Sequence, residues 1–107
     1  MAKKYNKKIV YRIINSYLTI LRKNKIYPRK VYIFGSFVKN KFTENSDIDL
    51  AIVSNRFKGD IIEDNLMLMR LRRDIDLRIE PHAFTTKEFN VNNPFVREII
   101  KTGKRII

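Results

Sequence analysis

The chain has 107 residues, of which 44% are hydrophobic and 32% are charged, and it contains no cysteine. This length and composition fit a globular domain with one core, so we expect a single domain over residues 1–107. The sequence has no run approaching the roughly 20 apolar residues of a membrane helix, and no apolar leader, so we expect a cytoplasmic protein without membrane contact. Because cysteine is absent, disulfides and thiolate metal sites are excluded. Oxygen ligands or the single His82 would have to hold any metal.

The net charge of +12 comes from the N-terminal part of the chain. Twelve of the 23 Lys and Arg residues precede the first acidic residue, Glu44, and the eleven that follow are matched by eleven acidic residues. Such a basic block can be the solvated face of a helix, a face for an acidic protein partner, or a nucleic-acid contact. We favour the first two interpretations over nucleic acid.

The first half of the chain predicts one helix and two strands. Apolar residues between Ile9 and Leu21 recur at three- and four-residue spacing, which predicts an amphipathic helix over residues 6–24. Residues 31–34 are β-branched and aromatic and predict a buried strand that ends at Gly35-Ser36. A polar loop over residues 40–46 then leads to a second predicted strand over residues 47–53.

The second half predicts a helix, a strand and a terminal helix. Asp60 is the expected cap of a helix over residues 61–72, whose apolar stripe contains Ile61, Ile62, Leu66 and Met69. Alternating residues predict a third strand over residues 75–80, which Pro81 ends. Asn93-Pro94 predicts the start of a helix over residues 95–102, with Gly103 as its stop. This order of elements predicts an α/β or α+β fold, with helices packed on a small β-sheet.

Two short motifs carry the chemistry. Alternation along the second strand places Asp47 and Asp49 on the same face, where two carboxylates can share a metal. A strand that ends in Gly35-Ser36 offers backbone N–H groups and a hydroxyl to phosphate, and the glycine permits a sharp turn. Nucleotidyl transfer needs both motifs. The turn binds phosphate, and the carboxylates hold two magnesium ions, roughly 3.5–4 Å apart, that neutralise the triphosphate.

A third carboxylate from the next strand would complete the metal site. Asp76 and Glu80 lie on the same face of the strand predicted over residues 75–80, with Arg78 between them. We favour Asp76 as the third ligand and keep Glu80 as the alternative. If neither binds metal, an ion pair of either carboxylate with Arg78 would be its structural role. His82 follows a proline at the strand end, and we interpret it as a surface or hydrogen-bonding residue rather than a ligand.

The segments 34–36 and 46–50, Phe-Gly-Ser and Ser-Asp-Ile-Asp-Leu, resemble the signature of the DNA polymerase beta nucleotidyltransferase superfamily. The similarity is to its minimal nucleotidyltransferase branch, and it extends to residues 78–82 and to the terminal segment from Asn93. The resemblance implies a mixed sheet backed by helices and transfer of a nucleoside monophosphate to a hydroxyl with release of pyrophosphate. It also implies magnesium as the metal and an ATP-like nucleotide as the substrate.

The chain departs from the family pattern after the Gly-Ser pair. Many relatives carry an arginine there and a glycine three residues later, whereas this chain has Phe37 and Asn40. Asn tolerates the left-handed conformation that glycine would take. We expect Lys39 to supply a cation to the nucleotide, so the predicted nucleotide-binding residues are Gly35, Ser36 and Lys39.

Members of this branch often act as antitoxins that adenylate an all-helical HEPN ribonuclease toxin. The resemblance therefore implies transfer of AMP from ATP to a hydroxyl of a partner protein of the HEPN type. After the predicted strands and helices, no segment of the sequence is left to form an acceptor-binding domain. This again leads us to expect a protein partner. The alternative is a catalytically weak binding subunit that docks or neutralises its partner through the basic N-terminal helix.

Overall fold

The computed structural model describes residues 7–107, and in that range three α-helices pack on a four-stranded sheet. The elements are α1 (Lys7–Lys23), β1 (Lys30–Phe34), β2 (Ile48–Val53), α2 (Ile61–Leu71), β3 (Ile79–Phe84), α3 (Pro94–Thr102) and β4 (Lys104–Arg105), with a 3-10 turn over Gly35–Phe37. The strand order is β3-β2-β1-β4. β1 is antiparallel to β2 and β4, whereas β2 and β3 are parallel. The predicted α+β class with a mixed sheet is confirmed. Within residues 7–107 no helix has both the length and the apolar character needed to cross a bilayer.

Helix α1 forms because its apolar residues make one continuous stripe. Val10, Ile14, Tyr17, Leu18 and Leu21 are buried along it. The hydroxyl of Tyr17 donates a hydrogen bond of 2.7 Å to the backbone carbonyl of Leu68 in α2, which joins the two helices. The predicted helix is confirmed from Lys7 onward, and its first predicted residue, Asn6, lies outside the described residues.

The sheet has two buried faces because successive side chains of a strand point to opposite sides. One face packs under α1 and α2 and forms the larger core, which includes Ile33, Leu50, Ile52 and Ile79. The other face packs against α3 and includes Tyr32, Ala51, Val53 and Phe84. Each face is therefore covered by at least one helix, and the second face is the one to which Asp49 and Glu80 belong.

Helix α2 begins as predicted but presents a different face to the core. The Asp60 side chain caps it by accepting hydrogen bonds of 3.1 Å from the N–H groups of Ile62 and Glu63. The predicted apolar stripe is wrong in its first part, since Ile61, Ile62 and Leu66 are 67%, 70% and 47% exposed. Leu68 is the fully buried residue of this helix.

Asp64 explains this orientation of α2. It lies one helical turn before Leu68 and is buried, and its carboxylate accepts hydrogen bonds from the N–H groups of Lys58 and Gly59. A buried carboxylate is stable only where such donors satisfy it. The loop before α2 therefore draws the Asp64 side of the helix inward, and Ile61, Ile62 and Leu66 remain at the surface.

The third strand begins later than predicted. It runs over Ile79–Phe84 and contains Pro81, whereas the sequence pattern placed it at residues 75–80 with Pro81 at its end. The N–H groups of Ile75 and Asp76 instead donate to the carbonyl of Arg72 at 2.9 and 3.0 Å, which continues the turn after α2. β3 lies at an edge of the sheet, where a proline need not donate to a second neighbour. As a result, Asp76 lies before β3 and Glu80 lies within it.

Helix α3 has the predicted boundaries and caps. Asn93 accepts hydrogen bonds from the N–H groups of Phe95 and Val96 at 2.9 and 3.5 Å, and Pro94 is the first helical residue. Gly103 ends the helix at a point where a β-carbon would collide with the carbonyl oxygens of Ile99 and Ile33. The two-residue strand β4 that follows is too short to have been predicted from its sequence.

Candidate active site

The turn after β1 lies in direct contact with Asp49 of β2. Gly35 adopts a φ of +76°, which is readily accessible only to glycine, and starts the 3-10 turn. Phe34 is paired with Asp49 in the antiparallel register of β1 and β2. A β-carbon on Gly35 would collide with Oδ2 of Asp49. The glycine is therefore required for close approach as well as for its backbone angle, as the sequence suggested.

The rest of this turn is closed by its own backbone. The carbonyl of Ser36 accepts hydrogen bonds from the N–H groups of Lys39 and Lys41 at 3.2 and 3.1 Å. Asn40 adopts a φ of +56°, the left-handed conformation that the sequence predicts it to tolerate. The side chain of Lys39 is exposed on this turn. The structure thus places Gly35 and Ser36 beside Asp49, with Lys39 three residues beyond Ser36.

Phe37, which follows the Gly-Ser pair, is a core residue. It is buried, and its ring makes edge contacts with Tyr11 and Phe42 at centroid distances of 5.8 and 5.4 Å. The contact with Tyr11 anchors the turn to α1. Position 37 therefore carries no positive charge that could contact a phosphate. Lys39, two residues later, is an exposed cation.

Three carboxylates are brought to the same region of the sheet. Asp47 is exposed immediately before β2, and Asp49 is half-buried within it. Glu80 is paired with Asp49 in the parallel register of β2 and β3. Side chains of paired residues on adjacent strands leave the sheet on the same face, with the strands about 4.8 Å apart. Glu80 is therefore the side neighbour of Asp49, although its carboxylate also lies 3.8 Å from the Arg72 guanidinium.

Asp76 is engaged elsewhere. Its carboxylate accepts hydrogen bonds from Nε, Nη2 and the backbone N–H of Arg78 at 3.0, 2.7 and 2.9 Å. Hydrogen bonds from the Arg78 side chain are the main reason that the pKa of Asp76 is lowered. The preference for Asp76 rested on a strand over residues 75–80 that the structure does not contain. Asp76 forms the ion pair with Arg78 that the sequence offered as its structural role.

His82 belongs to the site although sequence reasoning set it aside. It lies two residues after Glu80 on the same face of β3, and its Nε2 is 3.7 Å from Oδ1 of Asp49. This nitrogen is buried and has no hydrogen-bond partner within residues 7–107. The ring lies between Phe34 and Phe95, at centroid distances of 5.2 and 5.7 Å. The two-residue spacing from Glu80 was the signal that could have identified it.

The donor set fits magnesium in its chemistry, since Mg²⁺ prefers oxygen ligands and commonly binds through one or two carboxylates together with substrate phosphates. In the part of the chain that the structure describes, no three acidic or histidine side chains converge closely enough to hold a metal by themselves. Nε2 of His82, 3.7 Å from Oδ1 of Asp49, is a further polar atom beside these carboxylates that has no hydrogen-bond partner within residues 7–107. These residues therefore suit a metal ion that binds together with a nucleotide, whose phosphates supply further ligands, better than a metal ion that binds alone.

Comparison with known families gives a match over residues 14–107 to the family described as "Polymerase beta, Nucleotidyltransferase". This chain belongs to that family. The matched range includes the Gly35–Phe37 turn, the acidic residues of β2 and β3, and α3. A comparison with curated proteins found no match.

The fold of this nucleotidyltransferase is also seen in a solved structure. A crystal structure of a protein from Sulfolobus solfataricus, named as a candidate nucleotidyltransferase, aligns with a TM-score of 0.52 and 18% sequence identity. The alignment covers 92% of this chain and 75% of that one. At this identity the similarity concerns the fold. The family assignment rests on the sequence match, whose range includes Gly35 and Asp49, the two residues that the structure brings into contact.

Proposed function

We propose that this chain is a magnesium-dependent nucleotidyltransferase that transfers AMP from ATP to a hydroxyl of a partner protein. The observation that carries the proposal is the contact between the Asp49 carboxylate and the backbone of Gly35. Through this contact the element suited to phosphate and the element suited to metal share one small region. Family membership supports the reaction class, whereas the nucleotide, the metal and the acceptor are proposed.

Each part of the triphosphate has a candidate partner. The backbone N–H groups of the turn and the Ser36 hydroxyl are suited to phosphate oxygens, and exposed Lys39 adds a positive charge. Asp47 and Asp49 would hold magnesium, with Glu80 as the third carboxylate in preference to Asp76. Two magnesium ions, when bound, neutralise the charge of the triphosphate and of the reaction's transition state.

The reaction exchanges one phosphorus–oxygen bond for another. The acceptor oxygen forms a bond to the α-phosphorus, and the bond from that phosphorus to the bridging oxygen breaks. Pyrophosphate leaves with the electron pair of the broken bond. The proton of the attacking hydroxyl passes to a neighbouring carboxylate, for which Glu80 is suited because it is half-exposed and adjacent to Asp49, and then to water.

The charge of the chain supports an acidic protein acceptor. Lys7, Arg12, Arg22 and Lys23 are exposed on α1, and the family resemblance points to an all-helical HEPN toxin as the partner. A positive face speeds encounter with an acidic partner and makes association sensitive to salt, because exposed charges are screened beyond about 10 Å at 0.1 M ionic strength. The antitoxin role follows if modification silences such a partner.

Co-expression with the product of an adjacent gene, followed by mass measurement of that product, tests the proposal. We expect the partner to gain one adenylate with the wild-type chain and none with Asp47→Asn/Asp49→Asn. A partner that co-purifies but never gains a nucleotide in the presence of magnesium and ATP would contradict enzymatic transfer. It would leave the alternative, a binding subunit that docks through its basic helix.

A further inference from the structure

The outer face of α2 carries an apolar stripe formed by Ile62, Leu66 and Met69. Ile62 and Leu66 are 70% and 47% exposed, and Met69 is half-buried. Spacings of four and three residues place the three side chains on one side of a helix, and the buried residues Asp64 and Leu68 lie on the other side. The apolar periodicity of the sequence is therefore present, but it faces away from the core of its own chain.

A cleft of about 280 Å³ lies on one flank of this stripe. Leu66 and Met67 form its apolar wall, and Glu63 and Arg70 also line it. Both charged side chains are exposed, and neither forms an ion pair within residues 7–107. Large apolar residues exposed beside such a cleft indicate a contact surface for another molecule. The flank offers that molecule an unpaired negative charge near the start of the helix and an unpaired positive charge near its end.

The positions of these two charges suit a second copy of the same helix. Glu63 and Arg70 are two helical turns apart, about 10 Å along the axis, and lie on the same flank. A two-fold axis that relates an antiparallel pair of helices brings the same flank of both copies together. With the axis near Leu66, Glu63 of each copy lies level with Arg70 of the partner subunit, so two ion pairs form across the contact. Arg56 and Lys58, which line the same cleft, are further cations for the incoming carboxylate.

The charges also select the direction of the pair. A parallel pair is disfavoured because it would set Glu63 against Glu63 and Arg70 against Arg70. The net charge of +12 repels two copies only weakly at physiological salt, since exposed charges more than about 10 Å apart are largely screened at 0.1 M ionic strength. The charges at the contact are closer than this distance, and they therefore determine how two copies meet.

We propose that the outer face of α2 is the contact surface of a symmetric homodimer. The α2 helices of the two copies pack antiparallel on Ile62, Leu66 and Met69, with Glu63 of each copy paired to Arg70 of the partner subunit. Symmetric contacts between identical patches are the commonest kind in homo-oligomers. The eleven-residue helix is about 16 Å long, so the interface is small and the dimer is weak and reversible. Neither metal nor nucleotide takes part, so this inference is independent of the proposed function.

Charge reversal with complementation tests the arrangement. Glu63→Arg and Arg70→Glu, taken singly, each set like charges against each other in both ion pairs of the dimer. In a mixture of the two variants, a dimer with one chain of each kind has opposite charges in both pairs. Sedimentation equilibrium of the full chain, without nucleotide and at about 0.15 M salt, measures the dissociation constant from micromolar to millimolar concentrations. Circular dichroism shows whether each variant keeps its helices.

We expect the wild-type chain to dimerise, each single reversal to raise the dissociation constant by at least about tenfold, and the mixture to recover wild-type affinity. The chain that carries both changes, Glu63→Arg/Arg70→Glu, should also dimerise like the wild type. The inference is overturned if the wild-type chain stays monomeric throughout, since the stripe would then have to meet a different protein. It is also overturned if the folded variants fail to dimerise when mixed. A parallel dimer would be shown if Glu63→Arg bound the wild-type chain more tightly than that chain binds itself, and this result too would overturn it.

Two neighbouring isoleucines provide a second test that does not depend on charge. Ile62 lies on the stripe, whereas Ile61 is turned about 100° around the helix from it. The two side chains are nevertheless exposed to nearly the same extent, 67% for Ile61 and 70% for Ile62. Ile62→Ser should raise the dissociation constant by about tenfold, and Ile61→Ser should leave it nearly unchanged. Equal effects of the two changes would overturn the assignment of the contact to this face, even if a charge-reversed variant failed to fold.

Discussion

The carboxylate of Asp49 occupies the space that a β-carbon on Gly35 would need. Gly35→Ala should therefore displace Asp49 in addition to straining a backbone with a φ of +76°. We expect loss of ATP–magnesium binding and a free energy of unfolding lower by about 1–2 kcal/mol or more. Calorimetric titration and urea unfolding measure the two effects.

Gly59→Ala is the matched control for that change. Gly59 also has a positive φ, of +86°, but its β-carbon would meet only Cγ2 of Thr85 at 3.9 Å. It should lose a similar backbone contribution to stability and keep nucleotide binding. Equal loss of binding in both variants would show that the contact between Gly35 and Asp49 has no special role.

The choice between Glu80 and Asp76 gives a second prediction. Glu80→Gln should lower nucleotidyl transfer by about 100-fold or more, since it removes a charge beside Asp49, and should leave stability nearly unchanged. Asp76→Asn should keep transfer and lower the free energy of unfolding by about 1 kcal/mol, because it weakens the ion pair with Arg78. Transfer rates and urea unfolding curves of both variants show which of the two carboxylates acts in the site. Full activity in Glu80→Gln with loss in Asp76→Asn would return the role to Asp76.

The lowered pKa of Asp76 predicts an acid dependence of stability. Its hydrogen bonds from Arg78 hold the folded-state pKa below the unfolded value of about 3.9. The ion pair therefore contributes fully above that value and its contribution is lost as pH falls through the folded-state pKa. The difference in unfolding free energy between the wild-type chain and Asp76→Asn should shrink as urea melts are repeated from about pH 5 downward. A difference that stayed constant or grew would contradict this assignment.

Two leucines of α2 test the orientation of that helix. Leu68 is fully buried and Leu66 is 47% exposed. Leu68→Ala should lower the free energy of unfolding by about 2–5 kcal/mol, because it removes buried methyl groups and leaves a cavity. Leu66→Ala should change it by about 0.5 kcal/mol or less. Similar losses in the two variants would mean that the helix presents both residues to the core.

The parts of the fold that local chemistry determines could be predicted from the sequence. Asp60 and Asn93 cap the helices that follow them, and Gly35 ends a strand at a turn that only glycine accommodates. In each case the residue acts on backbone groups a few positions away. Predictions that depended on tertiary neighbours were less accurate.

Three features of the structure required knowledge of the sheet or the core. Pro81 lies inside β3 because that strand is at an edge, and edge position follows from topology. The buried Asp64 sets the orientation of α2, against the apolar pattern of its first turn. His82 joins the site because the register of β3 against β2 places it near Asp49. A sequence with no register assigned could not rank Glu80 above Asp76.

Titration of the purified chain with ATP, in the presence and absence of magnesium, tests the central claim most directly. We expect magnesium-dependent binding to the wild-type chain and none to Asp47→Asn/Asp49→Asn. Asp74→Asn/Glu98→Gln removes two exposed acidic charges elsewhere and should bind like the wild-type chain. Unchanged ATP–magnesium binding in Asp47→Asn/Asp49→Asn would contradict the assignment of the active site to these aspartates.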